Sequence, residues 1–288
     1  MFDPNLPERE PVTYQQEIEA WRARRISRLT SEDGWTTLVG LHWLETGDNS
    51  VGAAVGNRIV LDCCGAPSHI GVFALRDGQV RFDVAHGTSV THNGQVVDSL
   101  PLEADDDNGA QPTLLQLGTL RFYVIRRGEQ FGIRVKDSAA DTRINFKGLD
   151  YFPVDSDWRL PARFEAYAPP SSIPIVNILG MHETMISPGA VVFTIAGREY
   201  RLDAVLEAGE TDYFVMFADR TNGNETYGAG RFLYVAPPIN GATVIDFNKA
   251  YTPPCAFSTF ATCPLPPEQN RLPIAITAGE LKYAGSDH

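Results

Sequence analysis

Gly71-Val72-Phe73-Ala74-Leu75-Arg76-Asp77-Gly78-Gln79-Val80-Arg81-Phe82-Asp83-Val84 decides the fold. From Gln79 to Val84 polar and apolar residues alternate, which is the period of a half-buried strand. Asp77-Gly78 supplies the two left-handed backbone positions that a two-residue hairpin turn needs. The stretch therefore predicts strands at 71–75 and 79–84, joined as a hairpin. Asn93-Gly94 repeats the signal between 89–92 and 95–98. Further short runs lie at 36–44, around Val51, and at 58–61, 113–117, 120–126 and 131–136. Short strands at such spacing indicate an antiparallel sandwich or barrel.

Outside this text the chain divides in two directions. Upstream, residues 1–12 are polar and proline-rich and read as an extended arm. Thr13 followed by Gln16 is a capping box, so a helix begins there and ends near 29–32. Tyr14, Ile18, Trp21, Arg25, Ile26 and Leu29 form its one partly apolar stripe. Downstream, 137–172 is transitional, with Pro169-Pro170 as punctuation. Strand-like runs then follow at 173–179, 181–186, 190–195, 198–207, 212–218, 230–235 and 243–247. Pro188-Gly189 reads as a turn and Ala196-Gly197 as a hairpin connection. The expectation is a mainly β protein. It has an arm and helix over 1–34, a sandwich over 35–136, and a second antiparallel β region over 137–288 that ends in a polar, proline-rich loop.

With 288 residues and 43% hydrophobic content, the chain has ample material for a core. Net charge is −12, and a nucleic-acid binder normally carries a basic face. The cluster Arg22, Arg24, Arg25 and Arg28 shares its helix with Glu17 and Glu19 and reads as a solvated face. Neither nucleic acid nor a membrane is an expected partner, since no apolar run approaches the roughly 20 residues of a spanning helix. The first residues lack a basic and an apolar signal region, so a cytoplasmic location is expected. Cys63-Cys64, Cys255 and Cys263 then read as reduced thiols packed like small hydrophobes. Asp105-Asp106-Asp107-Asn108-Gly109 lacks the alternation and the distant Glu of a calcium loop and reads as solvated loop.

Residues 36–127 resemble the forkhead-associated (FHA) fold. The landmarks are Val51-Gly52, Asn57-Arg58-Ile59-Val60-Leu61, Ser68-His69, Gly87-Thr88-Ser89-Val90, Asn93-Gly94-Gln95-Val96 and Leu117-Gly118. The resemblance implies a β-sandwich and, in principle, phosphothreonine recognition. Ala53 stands where that family places an arginine, and Ser68 adjoins His69 where the family spaces the two. Phosphate capture depends on a charged bidentate donor, so the resemblance implies a kept sandwich and a lost phosphopeptide site.

Two polar stretches carry the chemistry of the C-terminal half. One is Asp219-Arg220-Thr221-Asn222-Gly223-Asn224-Glu225-Thr226-Tyr227-Gly228-Ala229-Gly230-Arg231-Phe232-Leu233. It lacks the Gly-Lys-Ser/Thr ending of a phosphate loop. The other runs from Asp246-Phe247-Asn248-Lys249-Ala250-Tyr251-Thr252-Pro253-Pro254-Cys255 to Asn270-Arg271. With Trp35 to Leu44 and Asn145 to Pro153, they resemble the bacterial domain-of-unknown-function family sixteen-eighty-four, whose usual text has Asn at the place of Thr252. That family carries no agreed activity.

A strand ending at 247 points Asp246 and Asn248 to one face, with Tyr251 nearby. The three suit an Asx-type anchor for the following turn first, and a ligand site second. Lys249, Arg231 and Arg271 offer positive charge for an anion, and Glu225 and Asn270 complete the candidate set. Cys255 as nucleophile needs a base that the local sequence does not contain. Cys255 and Cys263 are too widely spaced for common zinc motifs, and no metal or other cofactor is expected. His42, between Leu41 and Trp43, reads as a core histidine. There is no Gly-x-Ser-x-Gly elbow and no His-Glu-x-x-His. The expected function is binding of a small polar or anionic ligand by Asp246, Asn248, Tyr251, Asn270, Glu225, Arg231 and Arg271. Hydrolysis of that ligand is compatible with these residues, but they identify no catalytic group. The alternative is a protein or peptide interaction module built on the sandwich.

Overall fold

The expected helix spans Tyr14–Leu29, and its start follows from the cap. The Thr13 hydroxyl accepts from Gln16 N at 3.3 Å while the Gln16 side chain accepts from Thr13 N at 2.8 Å, satisfying two otherwise orphaned donors. The computed structural model describes residues 12–61, 65–105 and 111–285. The arm over 1–11, the Cys63-Cys64 pair and the acidic tip from 106 to 110 lie outside the described residues.

The predicted hairpin forms as Gly71–Arg76 and Gln79–Val84, with Asp77 and Gly78 at φ of 51° and 72°. Val80 and Phe82 face the core while Gln79, Arg81 and Asp83 face solvent. Cross-strand partners Phe73 and Phe82 bring their rings to 4.4 Å, a contact worth about 1 kcal/mol beyond its buried area. This hairpin is the middle of a five-stranded sheet that also contains Ile59–Val60, Gly47–Gly52 and Ser99–Leu102. A seven-stranded sheet covers it, with Leu38–Trp43, Gln130–Asp137 and Leu120–Arg127 as its longest members. Both sheets contribute to one core, Phe73 and Phe82 from the first and Phe122, Val124 and Ile133 from the second. Two short strands, Ser99–Leu102 and Ala104–Asp105, were not expected from the pattern.

The C-terminal half is a second system. Arg198–Ala204, His182–Ile195, Arg159–Val176 and Ala242–Asp246 form a four-stranded antiparallel sheet in that order. Reciprocal bonds between Val205 and Phe214, both 2.8 Å, lead on to the pair Tyr213–Phe217 and Arg231–Val235. The surface curls into a half barrel around Phe193, Phe217, Leu233, Ile245 and Phe247. Phe247 sits 5.4 Å, ring to ring, from both Phe193 and Phe217. The curl stops one ladder short of closure. Arg231–Val235 and Ala242–Asp246 face each other as separate sheet edges, joined near the loop by Thr243 Oγ1 donating to Ala236 O at 2.8 Å.

Pro188-Gly189 is not the expected turn. It lies inside His182–Ile195, where Ser187 pairs Ser171 and Gly189 pairs Ala166. Residues 167–170, including Pro169 and Pro170, stand opposite Pro188 alone. Proline cannot donate to a ladder and is tolerated where the ladder is broken by a bulge. A Cβ on Gly189 would meet the Phe164 ring at 2.7 Å, so the glycine serves close approach rather than a turn. The true turn of this hairpin is at 177–181, where Asn177 Oδ1 accepts from Leu179 N and Met181 N.

The helix docks on this second half mainly through polar contacts, since of its residues only Ile18 and Leu29 are buried. Arg25 Nε bonds Glu280 Oε1 at 2.9 Å, Lys249 Nζ bonds Glu17 Oε1 at 2.6 Å, and Arg22 donates to Phe152 O at 2.9 Å.

Candidate functional site

The open seam of the half barrel is also a cleft. Along Ala242–Asp246, Ile245 points into the barrel core, whereas Val244 and Asp246 point outward. Asp246 then caps a short 3-10 turn, Phe247–Lys249, accepting from Asn248 N at 3.2 Å. The same oxygen, Oδ1, accepts from the Tyr14 hydroxyl at 2.8 Å and from Asn248 Nδ2 at 3.3 Å. Oδ2 is buried and has no hydrogen-bond donor; Lys249 Nζ stands 3.6 Å away. The cleft holds about 340 Å³, toward the small end of ligand sites. Trp21, Tyr234 and Tyr251 form its aromatic walls, and Arg159, Asp212, Asp246 and Lys249 are its charged groups.

Neighbouring strands fix these side chains. Arg159 is the direct cross-strand partner of Asp246. Its guanidinium lies over the Tyr14 ring, 5.3 Å from the centroid. Tyr251 is anchored through its backbone to Phe232, and Arg25 covers its ring at 4.7 Å. Tyr234 donates to Glu207 Oε2 at 2.7 Å. Burial raises the Tyr14 hydroxyl, and its bond to Asp246 raises it further. Burial likewise raises Tyr234 and Tyr251, so these hydroxyls remain protonated donors at neutral pH. Burial also raises the Glu207 carboxyl. Glu17 is lowered, chiefly by its bond from Lys249.

The structure divides the expected site residues. Asp246 and Tyr251 line the cleft. Asn248 is fully buried behind Asp246, with Nδ2 on Asp155 O at 2.8 Å and on the Tyr14 hydroxyl at 2.8 Å, and Oδ1 receiving Asp155 N. Asn270 is buried elsewhere, tying Asp203 to Met216 through bonds of 2.7 to 2.8 Å. Arg231 is fully buried, paired with Asp219 Oδ2 at 2.7 Å and donating to Ile276 O and Ala278 O. Glu225 and Arg271 are exposed and join the fold through backbone bonds. The Asp219 to Arg231 stretch is a self-capped plug, with Asp219 Oδ1 accepting from Thr221 N, Thr221 Oγ1 and Ile276 N.

Arg159, Trp21, Tyr14, Asp212 and Tyr234 were not among the expected site residues. Tyr14 and Trp21 were visible as part of the helix stripe. Arg159 becomes a neighbour of Asp246 only through strand pairing.

Cys255 and Cys263 are free, buried thiols, with Cys255 N donating to Cys263 Sγ at 3.1 Å. Burial raises the Cys263 thiol, while its hydrogen bond lowers that of Cys255. Among the described residues no group of three or more His, Cys, Asp or Glu is arranged to hold a metal ion. No helix among them is long and apolar enough to cross a membrane. His42 lies on Leu38–Trp43 opposite Ile133 and is half-buried rather than the expected core histidine.

Residues 144–281 match a family model described as a protein of unknown function (DUF1684). Through this segment the chain belongs to the DUF1684 family. An uncharacterised protein of Haloarcula marismortui, solved by solution NMR, is 33% identical, over 50% of this chain and 80% of its own, with a TM-score of 0.42. No curated protein matches significantly. The DUF1684 segment supplies Arg159, Asp212, Tyr234, Asp246, Lys249 and Tyr251, while Tyr14, Glu17 and Trp21 come from the helix outside it.

Proposed function

We propose that this DUF1684 protein binds a small polar ligand in the seam cleft, with Asp246 as the central contact. The observation that carries the reading is Asp246 Oδ2, a buried carboxylate oxygen without a donor on the wall of a cleft. Buried polar atoms are almost always paired, so an unpaired one calls for an explanation. The other oxygen of the same carboxylate is held by Tyr14 and Asn248, which fixes the direction in which Oδ2 points. Tyr234, Tyr251 and Trp21 add flat apolar surface at low entropic cost. The same oxygen is the group placed to hold a water for hydrolysis, and product formation on incubation would extend the reading from binding to catalysis.

The test is a thermal-shift screen of polar metabolites, followed by calorimetry of any hit. A hit that binds the wild type and is lost in Asp246→Asn, with the variant still melting cooperatively, supports the site. Equal binding by the variant, or no hit at all, removes it. The peptide-binding alternative has less support in the loops that would carry it. Asn57 already spends its amide on Ala54 O and Ser68 O and its Oδ1 on His69.

A further inference from the structure

We propose that the ligand is a small zwitterion, with a carboxylate at one end and an ammonium at the other, as in a free amino acid. This rests on the binding reading above and adds its chemical class. Arg159 and Asp246 face each other directly across two antiparallel strands, where backbones lie about 5 Å apart. Opposite charges in that position ordinarily close on one another. Here they do not. The Arg159 side chain forms no hydrogen bond or ion pair among the described residues and rests on the Tyr14 ring instead. Asp246 keeps one oxygen without a donor, and its side chain is only 9% exposed.

Each unspent group has a preferred complement. A guanidinium offers a planar pair of donors that matches a carboxylate. A buried carboxylate oxygen calls for a donor, best a charged one. Lys249 pairs with Oδ2 only at 3.6 Å, beyond hydrogen-bond distance, and lies closer to Glu17, which it bonds at 2.6 Å. The short span between Arg159 and Asp246 suits a ligand whose two charges are separated by one or a few bonds.

The charge balance points the same way. Asp212, also without an ion pair among the described residues, adds a second negative group to the lining, and Arg159 and Lys249 supply the positive ones. A dianion or a dication would meet two like charges, whereas a zwitterion meets one complement at each end. The rings of Tyr234 and Tyr251 can cover the ligand's carbon body and face its ammonium.

The experiment is calorimetric titration of the full chain with four matched probes. These are a free aliphatic α-amino acid, the same molecule without its ammonium, the same molecule without its carboxylate, and a neutral polyol of similar size. The amino acid is expected to bind at least tenfold more tightly than the other three. In Arg159→Gln, at an exposed position that leaves folding intact, the amino acid and the simple amine should bind equally. In Asp246→Asn the amino acid and the simple acid should bind equally. If the polyol or a single-ended probe binds the wild type as tightly as the amino acid, and Asp246→Asn loses it, the zwitterion is overturned and the cleft stands. If no probe and no other polar compound binds, both readings fall.

Discussion

Arg231 and Arg159 belong to the same half barrel and have opposite fates. Arg231 is fully buried, and the two terminal nitrogens of its guanidinium are given to a carboxylate and two carbonyls, while Nε has no partner. Arg159 is exposed at the seam, where its side chain makes no hydrogen bond or ion pair among the described residues and lies on an aromatic face. The carboxylates repeat the contrast. Asp219 accepts on both oxygens, whereas Asp246 accepts on one. A polar cluster whose charges pair with each other out of reach of solvent holds a fold together. One that keeps an unpaired oxygen on a cleft wall is available to a ligand. Neither the density of polar residues nor one unpaired atom separates the two, since Arg231 Nε and Asp246 Oδ2 both lack a partner; access from the cleft does.

The largest effect should come from the internally paired side. Arg231→Ala leaves Asp219 buried without its cation, which costs about 3–5 kcal/mol. A urea unfolding midpoint that barely moves would break the comparison. Asn270→Ala removes the amide bridging Asp203 and Met216 and should cost roughly 1–3 kcal/mol, read by the same titration. Asp246→Asn should stay within about 1 kcal/mol of wild type while losing ligand, because Tyr14 keeps an acceptor there. A stability loss as large as that of Arg231→Ala would place Asp246 with the internally paired cluster.

The smallest effect concerns Glu17. Its bond from Lys249 depresses its folded-state pKa below the usual 4.5. A depressed acid stabilises the fold above its unfolded pKa, and that stability is lost as pH falls through the folded value. The pair is partly exposed and screened by solvent, so Glu17→Gln should lower stability at neutral pH by under about 1 kcal/mol. The difference from wild type should shrink below pH 4.5 and vanish once the pH has fallen past the depressed folded value. A difference that persists in acid would assign it to packing instead.

Local signals in the sequence carried far. The Asp77-Gly78 and Ala196-Gly197 hairpins and the Thr13–Gln16 cap each depend on residues a few positions apart, and all formed where expected. Pro188-Gly189 misled because turn chemistry and bulge chemistry use the same residues, and only the opposing strand distinguishes them. Asp246 and Tyr251 stood out by composition. Arg231 and Asn270 stood out equally, because burial cannot be read from residue type. Arg159 was invisible as a neighbour of Asp246, since their proximity exists only once the strands have paired.

The unclosed seam also has a kinetic consequence. Successive residues of an antiparallel strand direct their amides to alternate sides. Ala242–Asp246 has a ladder with Arg159–Val176 on one side and none with Arg231–Val235 on the other. His182–Ile195, by contrast, is laddered on both sides. The seam strand can therefore come away from its single neighbour without the whole barrel unfolding. Its amides should exchange with deuterium at a free energy well below the global one, and a molecule seated across the seam would slow them first.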